Sequence, residues 1–419
     1  MKVIQSRIRG LGRTMDGGWF TLDPHLSLFH FPDDIGRAGF FQALETVNPP
    51  YSCRTAQPFV DFPQFTEQRG YQRRINAAKR TVAIAVFNTT PALVNDLAAI
   101  DPLFFSTDRI EAGRRLDYSR WINFVELAAS SRWSEISAEI FRLLELCRAA
   151  APDEAERLAG LLKALRPSDR ITGELQHQLA HWLQNLPPEL TADTPQQNGE
   201  LLTTILRADH FQAARGIITR RLPLFIALGI DPPPGLPPAP PAEGTLAKLL
   251  SLIRNKVENG KDPAFLEALN DRLADMPFTA IAPRLVRTPT GPALLPGPGH
   301  RRESSPGPAS ALAALQTATL LAIALSHVVC QTEPVLLFDS PERFLPPARH
   351  QELAEFIKHI AKTCQCLYGY KDLDIFPQHQ EIKRYRAGDI ESGFANAVAK
   401  GIRSILRQPP PAGNRRLSP

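Results

Sequence analysis

The chain has 419 residues, 43% of them hydrophobic, with 48 Lys and Arg against 43 Asp and Glu for a formal net charge of +5. That length and composition allow one large or two to three ordinary domains with real cores, and the mild charge permits contact with nucleic acid without demanding it. No membrane span is expected, because the longest apolar run, Leu312 to Val329, is interrupted by Gln316, Ser326 and His327; nor is a zinc site, because Cys53, Cys147, Cys330, Cys364 and Cys366 lack its spacing.

The N-terminal MKVIQSRIRG reads as a strand and not as a signal peptide, which with the free thiols points to a cytosolic protein. Residues 2 to 9, 18 to 22 and 26 to 31 form three short predicted strands separated by Gly and Asp-Pro turns. The third runs through Pro32, Asp33, Asp34, Ile35 and Gly36 into a helix with an apolar face of Phe40, Phe41, Leu44 and Val47. Strand, loop and helix in that order let backbone N–H groups at a helix N-terminus cradle a phosphate. Laid over the pattern G-x-x-x-x-G-K-[ST], the eight positions are Phe31, Pro32, Asp33, Asp34, Ile35, Gly36, Arg37 and Ala38. Only the second glycine survives. Phe31 lacks the backbone freedom of the first, Arg37 is a planar fork where the pattern has a compact ammonium, and Ala38 has no hydroxyl for Mg²⁺. Asp33 and Asp34 add like charges where a polyphosphate would lie. The segment alone is equally well read as a plain strand-to-helix turn.

Asn48 to Gln72 shows no clear period and reads as irregular, whereas Thr81 to Phe87 is the continuous apolar run of a strand buried on both faces. Thr107 to Ala128 is dense in charge. Its Arg109, Arg114, Arg115 and Arg120 lie among Tyr118 and Trp121, a mixture suited to phosphates and bases, or to a salt-bridged rim beside Asp108, Glu111 and Asp117. Arg73 and Arg74 are a second basic candidate. From Ser131 to Met276 the pattern is helical, with Ile136, Ile140, Leu143, Leu144 and Cys147 on one face and Leu246, Leu249, Leu250 and Ile253 on another. The proline-rich stretch Asp231 to Gly244 reads as a stiff spacer, or as a ligand for a partner that binds such segments.

Strand signals return at Phe278, with a hairpin over Arg284 to Pro296. A Ser/Pro/Gly turn (Ser304, Ser305, Pro306, Gly307) precedes a long Ala/Leu helix over Ala309 to Val328. The apolar strand Pro334 to Phe338 ends in Asp339, a helix spans Ala348 to Ala361, and Cys364 to Tyr368 is another buried strand. The final QPPPAGNRRLSP reads as a disordered tail.

This split order resembles the head domain of ABC-type ATPases of the SMC, RecF and RecN kind. The expected fold is therefore an α/β P-loop NTPase head split by a mainly helical insertion: residues 1–130 as one lobe, 131–277 as the insertion with its linker at 231–244, 278–407 as the second lobe, and 408–419 as the tail. The resemblance makes Asp339 the Mg²⁺-organising aspartate, and puts Ser340 where the family has the glutamate that activates water. A serine is no general base at neutral pH, and Glu342 stands two residues on. Asp34, Gly36, Arg37 and Ala38 become the loop side of an eroded nucleotide site, and Ser305 and Gly307 its signature side. Tyr370 and Lys371 stand where the family often has Thr-His. Phosphoryl transfer in P-loop enzymes rests on the loop lysine, Mg²⁺ and an oriented water, so these losses together imply a pseudo-ATPase. No cofactor is expected, although Mg-ATP stays open. The resemblance implies a structural or regulatory subunit in DNA repair, maintenance or defence, with Arg73, Arg74, Arg109, Arg114, Arg115 and Arg120 as candidate DNA contacts. An active ATPase subunit or a second copy would be its protein partner, with no membrane role. The rivals are a divergent but active ATPase with Arg37 on the phosphates and Asp339 on Mg²⁺, and an interaction scaffold without nucleotide or DNA.

Overall fold

A computed structural model describes residues 1–9, 18–60, 65–68, 71–101, 108–125, 127–187, 195–229, 245–259, 264–278, 281–288, 291–295, 308–376 and 382–386. Ser305 and Gly307, the linker 231–244 and the tail lie outside them. The chain forms two compact units. One takes Met1–Asn88, Glu111–Trp121 and Arg221–Pro419, the other Thr89–Ile110 and Ile122–Arg220.

The first unit is built on an all-parallel sheet of five strands in the order β14-β3-β13-β12-β9. The strands are β3 (Leu26–His30), β9 (Phe225–Leu228), β12 (Val335–Asp339), β13 (Gln365–Tyr370) and β14 (Lys383–Arg386), with the antiparallel hairpin of β10 (Arg284–Thr288) and β11 (Gly291–Leu295) between β9 and β12 in the chain. Helix α1 (Asp34–Glu45) leaves β3, and α12 (His350–Ala361) links β12 to β13. The three central strands are buried and mainly apolar because the parallel sheet is covered on both faces: Leu28, Phe29, Leu336, Leu337, Phe338 and Leu367 are fully buried. The edge at β9 is closed, since the Ala227 N–H donates to Glu45 Oε1 at 3.0 Å and the Phe225 N–H to the Asn48 carbonyl at 2.9 Å. The same unit holds β1 (Lys2–Ile8), β2 (Phe20–Thr21) and β6 (Thr81–Asn88), antiparallel about β1. Their sheet continues into β7 (Arg109–Arg115) and β8 (Arg120–Phe124).

Two readings of the sequence change here. Asn48 to Gln72 is not wholly irregular: it holds a one-turn helix, α2 (Cys53–Ala56), and a hairpin of β4 (Phe65–Gln68) and β5 (Tyr71–Arg74). Four-residue elements are too short to establish a period. The helical run from Ser131 is broken by β9, because FIAL is a short apolar run whose period cannot tell strand from helix.

Helix α11 (Pro308–Cys330) is, among the described residues, long and apolar enough to cross a membrane, contrary to the expectation from Gln316, Ser326 and His327. Most of that stretch is buried inside the unit, where Leu320, Leu321, Ala324 and Leu325 share a core with Leu249 and Ile253 of α9 (Thr245–Asn259) and Leu269 of α10 (Phe265–Ala274). A helix apolar on all sides is what a surrounded core position requires. The Ser326 hydroxyl is accommodated by donating to the Thr332 carbonyl at 2.9 Å.

The second unit is mainly helical: α3 (Pro91–Ala98), α4 (Trp133–Ala150), α5 (Pro152–Leu162), α6 (Gly173–Gln184), α7 (Pro195–Ile205) and α8 (Arg207–Arg221). The face read from the sequence on α4 is its core, since Ile136, Ile140, Leu143, Leu144 and Cys147 are all buried with Leu179 and Leu183 of α6.

Candidate functional site

The parallel register places the ends of β3, β12 and β13 side by side, with Leu337 opposite Leu367 and Gly369 opposite Phe29. The loops leaving these strands carry the motif residues: Asp33 to Arg37 after β3, Ser340 to Arg343 after β12, and Lys371 after β13. In open parallel sheets this carboxyl end is where ligands bind.

Asp33 is the N-cap of α1. Its backbone is extended and its carboxylate accepts the Gly36 N–H at 2.6 Å. A short polar side chain at the N-cap satisfies one of the orphan donors of the first helical turn. Here the capping group is an anion, so the place where a helix N-terminus would hold a phosphate is taken by a carboxylate of the chain itself.

Arg37, one residue on, is only 5% exposed. Its Nε donates to Asp339 Oδ1, and an Nη donates to Asp34 Oδ1 at 2.6 Å. Arg343 reaches the same Asp34 oxygen at 2.9 Å. Burial alone would lower the guanidinium pKa, but the charges of Asp339 and Asp34 outweigh it and hold Arg37 above its ordinary value. For Asp34, partial burial pushes the carboxyl up, and the Arg37 hydrogen bond, with the charges of Arg37, Arg343 and Lys371, brings it below the usual range. Ala38 is exposed and carries no hydrogen-bonding side chain.

The turn after Asp339 is tight. Ser340 has φ +46° and is fully buried, and both its N–H and its hydroxyl donate to the Gly369 carbonyl at 2.9 Å. The hydroxyl is thus committed to a neighbouring strand. Glu342 is buried at 3% exposure, with the Tyr368 hydroxyl donating to its Oε2. Burial raises this carboxyl, against the opposing pull of Tyr368, Arg37 and His350.

The sequence-derived residues Asp34, Arg37 and Asp339 therefore come together beside Gly36, with Glu342 buried on the turn that follows Asp339. Sequence reasoning missed Arg343, Tyr368 and Gly369. The first two gave no signal, being a lone arginine after a proline and a tyrosine in an apolar strand. Gly369 did, because an isolated glycine inside a strand marks a close backbone approach.

A magnesium nucleotide does not fit this donor set. Asp339, to which the resemblance would give the ion, is paired with Arg37; the Gly36 N–H is paired with Asp33; and the Asp33 and Asp34 carboxylates line the loop. Among the described residues no group of three or more His, Cys, Asp or Glu side chains is arranged to hold a metal.

The basic candidates divide. Arg73 and Arg74 are exposed on β5, and Arg109 is exposed beside Asp108 at 3.7 Å. Arg114 donates to the carbonyls of Thr46 (2.7 Å), Val47 (3.4 Å) and Tyr118 (2.7 Å), which makes it a cap for the C-terminal end of α1. Arg120 donates to Asn48 Oδ1 at 2.5 Å, and Arg115 to Ser119 Oγ at 3.3 Å.

No protein-family model and no curated protein matches the chain. Solved structures similar to it include the Smc head bound to the C-winged helix domain of ScpA, at 13% identity over 90% of this chain and 91% of that one, with a TM-score of 0.36. The SMC head domain from Thermotoga maritima is 9% identical over 90% of each chain, with a TM-score of 0.35. The recombination mediator protein RecF with ATPrS is 9% identical over 92% of this chain and 96% of that one, with a TM-score of 0.37.

Proposed function

We propose that this chain is a catalytically degenerate ATPase head of the SMC/RecF kind, serving as a structural or regulatory subunit of a cytoplasmic complex in DNA repair, maintenance or defence. The observation that carries the reading is the Arg37 guanidinium, buried between Asp339 and Asp34 at the mouth of the parallel sheet. It supplies one tethered cation where the family uses a lysine and a metal, and Asp33 supplies a tethered anion where the family binds phosphate. A site filled by its own side chains keeps the geometry of a head without turnover.

Calorimetric titration of the full chain with ATP and Mg²⁺ at low salt tests this. No binding is expected at ATP concentrations up to about 1 mM, a dissociation constant that corresponds to roughly −4 kcal/mol. Micromolar binding abolished by Asp339→Ala would replace this reading with that of a divergent ATPase.

The proposed partner is an active ATPase subunit or a second copy of the chain, with DNA as a further ligand. The exposed Arg73 and Arg74 are the proposed DNA contacts, with Arg109 and Arg115 in reserve. Double-stranded DNA should bind with an affinity that falls steeply as salt rises, and Arg73→Glu with Arg74→Glu should reduce the salt slope by about 2. An unchanged slope in fluorescence anisotropy would remove these two residues from the interface.

A further inference from the structure

Glu342 stands on the one-turn helix Pro341–Phe344 that follows Asp339. Its neighbour on that turn, Arg343, points outward and holds Asp34 at 2.9 Å. One short turn thus carries an inward carboxyl and an outward cation.

The titratable and charged groups that face Glu342 come from three packed elements: Tyr368 on β13, Arg37 on α1 and His350 on α12. Arg37 is already bound to Asp339 and Asp34. His350 Nε2 lies 3.2 Å and 3.1 Å from the carbonyl oxygens of Glu342 and Leu345, so it grips the turn's backbone and not the carboxyl. Tyr368, itself fully buried with Phe376 packed edge-on at 5.3 Å, supplies the hydroxyl that meets Glu342. The carboxyl is therefore enclosed with a neutral donor and, among the described residues, no cation hydrogen-bonded to it. Burying an ionised carboxylate in that way is costly, which pushes its pKa upward.

We propose that Glu342 is a proton-operated latch: protonated, it stays under Tyr368 and keeps Arg343 on Asp34; ionised, it leaves that position and the Arg343–Asp34 contact opens. The proton passes to solvent and no bond to carbon changes. The geometry makes the device local, because Glu342 and Arg343 are adjacent on a turn whose backbone is pinned at both ends, by the Arg343 N–H on the Ser340 carbonyl at 3.3 Å and the Leu345 N–H on the Glu342 carbonyl at 3.1 Å. A raised carboxyl pKa means that the folded chain binds more protons than the unfolded one above the ordinary glutamate range, so this contribution to stability is present at low pH and is lost as pH rises.

Hydrogen exchange of the full chain, followed by mass spectrometry between pH 5.5 and 9 and corrected for intrinsic exchange, tests the latch. From the ordinary glutamate range up to the carboxyl's raised folded pKa, protection of peptides covering 340–346 should fall by up to about tenfold per pH unit and then level off, while peptides of β12 stay protected. Glu342→Gln should hold the turn protected at every pH. Tyr368→Phe removes a hydrogen bond that Glu342 makes only in the closed position, and should move the fall to lower pH. A flat wild-type profile would overturn the proposal, as would a fall that persists in Glu342→Gln. If Glu342→Gln does not fold, an unmoved or raised transition in Tyr368→Phe would overturn it equally.

Discussion

Arg37→Ala should cost the first unit about 3 kcal/mol, within the range for breaking a buried ion pair after allowing for the partial exposure of its partners. Asp339 and Asp34 have side chains 28% and 41% exposed, so water relieves part of the loss, whereas Arg37 itself is only 6% exposed. Removing the guanidinium leaves two carboxylates converging on one vacated position, with Arg343 facing Asp34 alone. It also strips the aliphatic stem, whose Cδ packs near Gly369. Arg37→Lys keeps a charge but cannot bridge two carboxylates with a planar fork, and should recover no more than about half of that loss. The double variant Arg37→Ala with Asp339→Asn should be more stable than the sum of the single losses implies, with a coupling of about 1 kcal/mol or more in urea unfolding. Additive losses would mean that the pair is incidental, and the self-filled site would lose its foundation.

How much of this was legible in the sequence depends on the range of the interaction concerned. The strand-loop-helix from Leu26 to Leu44 and the Asp-ended strand at Asp339 were readable because an apolar run broken by a Pro-Asp-Asp turn is a local signal. That Arg37 and Asp339 meet, 302 residues apart, was expected only through the family resemblance, and only with a metal or phosphate between them. Their direct contact depends on β13 lying between β3 and β12, and no local pattern encodes that order. Strand β9 was missed because four apolar residues carry no period, and its pairing with β12 joins residues more than 100 apart. Arg114 read as a basic surface residue because its charge was visible and its three carbonyl partners were not.

Gly369→Ala should be as damaging as the loss of Arg37. A Cβ at Gly369 would overlap Phe41 Cε2 and lie 2.9 Å from Phe41 Cζ and 3.2 Å from Arg37 Cδ. The ring cannot swing aside: Phe41 is 1% exposed and packs against Phe31 and Phe40, with centroids 6.4 Å and 5.5 Å away. The strand cannot yield either, because the Gly369 carbonyl accepts both the N–H and the hydroxyl of Ser340, and the Phe31 N–H bonds the Tyr370 carbonyl at 2.9 Å. Accommodation therefore falls on α1, which must lift away from the sheet and take Arg37 with it. Overpacking of this kind costs up to about 3 kcal/mol. Phe41→Leu on its own should cost less, and combined with Gly369→Ala it should return part of the loss, since the smaller side chain vacates the contested space; urea unfolding of the four proteins measures both effects. A Gly369→Ala chain within about 0.5 kcal/mol of the wild type, the range of an ordinary surface substitution, would show that α1 is free to shift. In that case the distance between Arg37 and Asp339 would not be set by the sheet, and the tethered cation would be a consequence of charge alone.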